Sequence, residues 1–146
     1  MINIKIVSPE VVRPLRHKVL RPTLPFESSI MPNDGDASSI HFACFNGDTV
    51  LSVASFFQEP FASMPEKSAY RLRGMATQTN EQGKGYGTKI LTEAKRYLKT
   101  NTKTKLVWCN ARTTAFGFYE NCGFNIVGEE FDIPNLGPHK TGYIEL

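Results

Sequence analysis

Polar and apolar positions alternate over residues 3–7, the period of a strand with one face buried. Ser8-Pro9-Glu10 then offers a capping hydroxyl, a proline for the first turn and an acid at the positive end, so a helix is predicted to start there. It would carry Val11, Val12, Leu15, Val19 and Leu20 on its apolar stripe, with Pro14 set to shorten or kink it. Pro22 and Pro25 break the pattern, and residues 31–39, rich in Asp, Asn, Gly and Ser, read as a loop. Residues 40–46 and 49–58 read as two strands joined by a Gly47-Asp48 hairpin, and residues 68–77 as the next strand. A polar, glycine-rich stretch over 78–87 leads into a helix over 88–99, whose stripe is Ile90, Leu91, Ala94, Tyr97 and Leu98. Residues 104–109 form a strongly apolar strand. Ala115, Phe118, Tyr119 and Cys122 then mark an amphipathic helix over 111–122, ended by Gly123. Strands over 124–131 and 140–146 complete the order β-α-(α)-β-β-β-α-β-α-β-β. That order predicts an α/β protein with one mixed, largely antiparallel sheet flanked by helices, and one domain over residues 1–146.

Composition narrows the class. With 40% hydrophobic and 21% charged residues, ten Phe, five Tyr and one Trp, the chain has the apolar surface a packed core requires. No apolar run approaches the roughly 18–20 residues that span a bilayer, so no membrane partner is expected. The opening MINIKIVSPE has no secretory leader pattern, and Cys44, Cys109 and Cys122 have neither disulfide-framework nor CxxC spacing. A reducing, cytoplasmic setting with no metal site is the expectation. A net charge of +3 is too small to point to nucleic acid. That charge is local, however: seven basic residues and one acid, Glu93, lie between Lys84 and Lys105. This is either a solvated helix face or the neighbourhood of a phosphate-bearing ligand.

Gln82-Gly83-Lys84-Gly85-Tyr86-Gly87-Thr88 lies between a predicted strand and a predicted helix. Glycines there leave main-chain amides uncovered at a helix N-terminus, where anions are favoured. The spacing is neither that of a P-loop nor that of the dinucleotide fingerprint, which argues against a nucleotide-binding protein. A plain glycine turn is the alternative, and the basic helix that follows favours phosphate.

Here the sequence resembles the GNAT superfamily of N-acetyltransferases. Gln82, Gly85 and Gly87 fill the three fixed positions of that family's Q/R-x-x-G-x-G/A acyl-CoA loop. RLRGMAT before it and LVWCNARTTAFGFYENCGF after it resemble the family's fourth strand, fifth strand, next helix and FYExxGF ending. The resemblance spans residues 70–124 and implies a GNAT-type fold with splayed fourth and fifth strands. It implies acetyl-CoA as donor, with the main chain of Met75, Ala76 and Thr77 holding the pantetheine and the amides of Gly83, Lys84, Gly85, Tyr86, Gly87 and Thr88 the diphosphate. Lys84 and Lys89 would lie nearest the 3′-phosphate. Asn110 would either bond the pantetheine or cap the helix predicted at Ala111. The acceptor would be a small-molecule or peptide amine, and the protein a monomer or homodimer.

Transfer from a thioester to an amine needs a neutral amine, a stabilised carbonyl oxygen and a proton for the departing thiolate. A lysine-like amine is neutral in only about one molecule in 2,500 at pH 7, a cost of roughly 4.6 kcal/mol. On its stripe Tyr119 reads as a core aromatic; the resemblance makes it the proton donor to the leaving thiolate. An amide near Ala76 would polarise the carbonyl. Glu59 and His41 are candidate bases, with His17 and His139 behind them, and Cys109 reads as a small apolar residue. Arg71 and Arg73 share a strand face, either selecting an acidic acceptor or pairing at the surface, and Phe26, Phe61 and Met64 either line a pocket or pack. The rival reading is a non-catalytic acyl-CoA sensor on the same scaffold.

Overall fold

The computed structural model describes residues 1–146. Seven strands form one sheet: β1 (Ile2–Val7), β2 (Ile40–Asn46), β3 (Thr49–Gln58), β4 (Ala69–Thr77), β5 (Leu106–Arg112), β6 (Asn125–Ile133) and β7 (Gly137–Glu145). Their order in space is β1-β2-β3-β4-β5-β7-β6. Every neighbouring pair is antiparallel except β4 and β5, which are joined by a crossover through a helix. The sheet is therefore mixed and largely antiparallel, as the order of elements predicts.

Helices α1 (Pro9–Leu15), α2 (Tyr86–Asn101) and α3 (Phe116–Asn121) cover the two faces. Phe42, Phe56 and Leu72 of the sheet pack with Ile90 and Leu98 of α2 and Tyr119 of α3. On the other face Val12 and Leu15 of α1 pack on Ala43, Val53 and Ala76. The adjacent residues Phe42 and Ala43 thus serve opposite layers, the alternation of a strand covered on both sides. A third cluster, with Phe61 stacked on Trp108 at 5.5 Å and Tyr143 beside them, closes the far end of the β4–β5 pair. Phe61 and Met64 accordingly pack, and Phe26 lies at the surface against His17, so none of the three lines a pocket.

Several boundaries differ from the sequence pattern by a residue or two, and three by more. The first helix stops at Leu15 and continues as a single wide turn over Arg16–Leu20, next to the missing amide of Pro14. The helix predicted over 111–122 begins only at Phe116, because Ala111 and Arg112 continue β5 and pair with Lys140 and His139. The last strand begins at Gly137 rather than 140, which places His139 inside the sheet.

Two irregularities position the site. Between Val53↔Ala76 and Ser55↔Arg73, β3 contributes one residue and β4 two, Gly74 and Met75. Gly74 has φ +62°, the left-handed residue of a β-bulge. The bulge reverses the alternation of β4: Tyr70 and Leu72 face α2 before it, Met75 after it. The second irregularity is a splay. β4 and β5 pair only over Ala69↔Leu106, Tyr70↔Val107 and Arg71↔Trp108, and beyond these both strands continue without pairing to each other.

Gly74→Ala is expected to destabilise the protein by about 2 kcal/mol or more, since left-handed backbone costs an L-residue ~1–2 kcal/mol before any clash. Here the new Cβ would lie 2.7 Å from Nε of Arg16, a fully buried side chain with no room to retreat. Equilibrium unfolding in urea measures the loss.

Candidate active site

The wedge between β4 and β5 opens into a cleft with two halves that share Leu20, Met75, Arg112, Ala115 and Tyr119. The larger, about 580 Å³, runs from Met75-Ala76-Thr77 to the glycine loop and the start of α2. The smaller, about 140 Å³, runs from Arg71-Leu72-Arg73 across to Asn110 and His139.

The glycine-loop half is built from main chain. Gly83 and Gly85 have φ +81° and +86°, and a Cβ at either would meet nothing within 4 Å, so their space opens onto the cleft. Gly85 stands at the N-cap of α2 and offers no side chain to the helix. The first amide of the helix with an acceptor is that of Lys89, to Gly85 O at 3.0 Å. The amides of Tyr86, Gly87 and Thr88 have no intrahelical partner. No acid occupies the first turn of this 16-residue helix, so its positive end is uncompensated. A Cβ on Gly87 would come within 3.1 Å of Phe118 and 3.3 Å of Met75, so glycine there lets the helix start sit directly against α3 and β4. Gln82 ties the loop back to β4 by donating from Nε2 to Thr77 O at 3.3 Å. Ser52 Oγ donates to Ala76 O at 3.2 Å and bonds Thr77 Oγ1 at 2.7 Å, anchoring the splayed end of β4 on its β3 side.

The expected lysines lie elsewhere. Lys84 Nζ is paired with Glu81 at 2.8 Å, and neither its side chain nor that of Lys89 lines the cleft. The anion-binding capacity of this half thus rests on amides and the helix dipole. Asn110 lines the other half, where Thr141 Oγ1 donates to its Oδ1 at 3.1 Å, and it caps no helix because β5 runs past it.

Tyr119 joins the halves. It is 8% exposed, lies edge-on to Phe118 and Phe124, and its hydroxyl makes no hydrogen bond within the chain. Burial, followed by the thiols of Cys109 and Cys122, raises its pKa above the ordinary tyrosine value. Cys109 is pushed by burial to about 12, so its thiol stays protonated.

Neither expected base faces the cleft. Glu59 accepts from Arg71 Nη1 at 3.3 Å, beside Trp108, at the closed end of the strand pair. His41 is 3% exposed with both ring nitrogens engaged: Nε2 donates to Asp34 O at 2.9 Å, and Nδ1 accepts from Ser55 Oγ at 2.7 Å. Burial lowers its pKa and holds it neutral. His17 bonds Leu24 O and also lies off the cleft. His139 does line it. Its Nδ1 donates to Gly137 O at 2.8 Å, which leaves Nε2 as the free nitrogen of the neutral ring. The alternation of β7 could not reveal this while its start was placed at residue 140.

A sheet of this order, splayed beside a cradle of uncovered amides, defines the acyl-CoA N-acyltransferase class of fold. Residues 11–124 match the Acetyltransferase (GNAT) family, and the chain belongs to that family, whose members use acyl-CoA. It is 36% identical over 146 residues to YitI of Bacillus subtilis (strain 168), an uncharacterized N-acetyltransferase, covering 100% of this chain and 97% of that one. Among solved structures it is similar to Escherichia coli ElaA, with TM-score 0.78, 16% identity and coverage of 98% and 99%. It is also similar to an aminoglycoside 6′-N-acetyltransferase complexed with coenzyme A, with TM-score 0.71, 13% identity and coverage of 98% and 96%.

Gly85→Ala is expected to cost about 1–2 kcal/mol of stability through its positive φ. It should also weaken CoA binding, because the new methyl enters the space beside the amides. Calorimetric titration with CoA measures the second effect.

Proposed function

We propose that residues 1–146 act as one acetyltransferase domain that moves an acetyl group from acetyl-CoA to an amine within a ternary complex. The observation that carries this reading is the continuity of the cleft: a main-chain cradle on one side of Tyr119 and a side-chain-lined chamber on the other. Met75, Ala76 and Thr77 hold the pantetheine as an added strand would, on the side of β4 that β5 leaves unpaired. Gln82 steadies the loop, and the amides from Gly83 through Lys84, Gly85, Tyr86 and Gly87 to Thr88 hold the diphosphate. Asn110, lying in the other half, steadies the wall that the amine meets.

The thioester supplies an activated acyl carbon. The amine nitrogen bonds to that carbon, the carbon–sulfur bond breaks, and the amide and a thiolate result. The main chain of β4 near Ala76 polarises the carbonyl oxygen. Tyr119 gives its phenolic proton to the thiolate, and Nε2 of His139 takes the proton the amine loses. The imidazolium of His139 then releases its proton to solvent and the phenolate of Tyr119 regains one from it, so both residues are restored and one amine and one acyl-CoA yield one amide and one CoA thiol.

Release of free thiol from acetyl-CoA, followed across a panel of amines, tests this reading. Thiol appearing only with amine present supports it. Tight CoA binding with no thiol release from any amine makes the protein a binding module instead. His139→Gln is expected to lower kcat at pH 7 by at least about tenfold with CoA affinity retained.

A further inference from the structure

Four arginines and no carboxylate line the smaller half of the cleft. Arg71 is accounted for: it pairs with Glu59 at 3.3 Å and lies over the Trp108 ring at 4.8 Å. The other three converge from separate elements. Arg73 is the last residue of β4 before the bulge, Arg112 the last of β5, and Arg21 follows the wide turn after α1. Arg112 donates from Nη2 to Leu20 O at 2.6 Å, which fastens that turn to β5 and sets Arg21 beside it. The side chains of Arg73 and Arg21 make no hydrogen bond and no ion pair, and Arg112 has no acidic partner.

Arginine remains charged under any working condition, so these charges are borne, not lost. Burial works against the charge of Arg73, Arg71 and Arg21 add to the opposition, and Glu59, itself paired with Arg71, offsets only part of it. Burial and Arg21 act likewise on Arg112. A structure ordinarily neutralises such a group with an acid from a neighbouring element, as it does for Arg71 here. No carboxylate lines this chamber, the nearby Glu59 being paired with Arg71 outside it: beside the arginines, the titratable side chains lining it are His139 and Tyr119. The missing counter-charge is therefore expected from outside the chain.

Resting on the reading of this half as the acceptor chamber, we propose that the acceptor amine carries an oxyanion, a carboxylate or a phosphate, bound by Arg73 with Arg21 and Arg112. The guanidinium fork suits either group, taking two oxygens at once. The anion would anchor the far end of the molecule and leave its amine toward Tyr119, at the waist. Selection then follows from what is left unpaired. An analogue without the anion leaves the half-buried arginines facing one another and gains nothing for displacing their water.

The test has a binding arm and a turnover arm. Protein saturated with CoA is titrated calorimetrically with N-acetylalanine and N-acetylphosphoethanolamine, and with N-acetylalaninamide and N-acetylethanolamine as their respective neutral counterparts. At least one anionic product should bind about tenfold or more tighter than its neutral counterpart, and which one separates carboxylate from phosphate. Arg73→Gln and Arg21→Gln should abolish that difference with CoA affinity kept, which shows that the variants are folded. Arg73→Lys should restore only part, since it keeps the charge and loses the fork. Equal affinities for charged and neutral partners, or no binding of any, would overturn the proposal. Thiol release with the parent amines separates the two readings. Anion-dependent binding without thiol release sinks the transfer reading and leaves the anion site; thiol release equally fast with neutral amines and unaffected by Arg73→Gln does the reverse.

Discussion

Tyr119→Phe is expected to lower kcat by on the order of 10²-fold or more while CoA binds as before, the loss typical of removing a positioned proton donor. The substitution deletes one oxygen and keeps the ring. The contacts of that ring with Phe118 and Phe124 survive, so the core cluster it belongs to is undisturbed. The hydroxyl has no partner in the chain to lose, so stability should change little, in contrast to a buried tyrosine whose oxygen is bonded. The rate loss with stability and CoA affinity kept separates the proton-donor role from mere packing, and the phenol's pKa sets the pH range over which it holds. Burial first, then the neighbouring thiols, raise the phenol's pKa above the ordinary value of about 10. The acid form therefore persists through the whole neutral and mildly alkaline range. Wild-type kcat should show no alkaline decline from this group below about pH 10. Rates of thiol release from pH 6 to 10 for the two proteins check this, and a variant as fast as wild type removes Tyr119 from the chemistry.

Short-range patterns made most of this molecule legible. Alternation located β2, β3 and β4, and Gly47-Asp48 located the two-residue turn between the first two, where Gly47 takes φ +60°. The conformation of the glycine loop was legible because positive φ at Gly83 and Gly85, and an uncovered helix start, are local demands on local residues. What escaped was long-range. Ala111 and Arg112 read as helix because their apolar spacing suits one, and only pairing with β7, about thirty positions away in sequence, makes them strand. Correcting that boundary moves Asn110 and Arg112 onto the cleft wall and frees Asn110 from any capping role. His139 ranked only behind Glu59 and His41 as a base for the same reason, since a strand that begins three residues earlier turns a loop histidine into a wall residue. The pairing of Lys84 was not read in advance either: Glu81 lies three residues back, and the two meet at the surface.

Asp34→Asn is expected to cost about 3–5 kcal/mol of stability, a large part of the ~5–15 kcal/mol typical of a folded domain. Nothing in the sequence pattern links Asp34 to Arg16, eighteen positions apart, yet both side chains are almost wholly buried and bonded. Arg16 donates to Asp34 Oδ2 at 2.8 Å and Oδ1 at 2.9 Å, to Ser29 O at 2.8 Å and to Ser55 Oγ at 2.7 Å. Ser55 in turn donates to His41, whose other nitrogen returns to Asp34 O. The amide side chain keeps the shape and removes the charge, so Arg16 is left buried without compensation. Desolvation acts to raise the pKa of Asp34, but its bonds to Arg16, to the Met31 amide and to Arg13 outweigh this, and the net direction is down. A carboxylate depressed in the folded state contributes stability above its unfolded pKa, about 3.9, and loses it as pH falls further through the folded value. The gap between wild type and Asp34→Asn should therefore be full at pH 7 and narrow below about pH 4, as measured by urea unfolding at each pH. Removing both charges, as Arg16→Met with Asp34→Leu, should recover only part of the loss. It relieves the uncompensated guanidinium but leaves the Met31 amide and the Ser29 carbonyl without partners. It also withdraws the side chain that packs against Gly74, so CoA affinity should fall along with stability, because the bulge that turns Met75 toward the cleft rests on it.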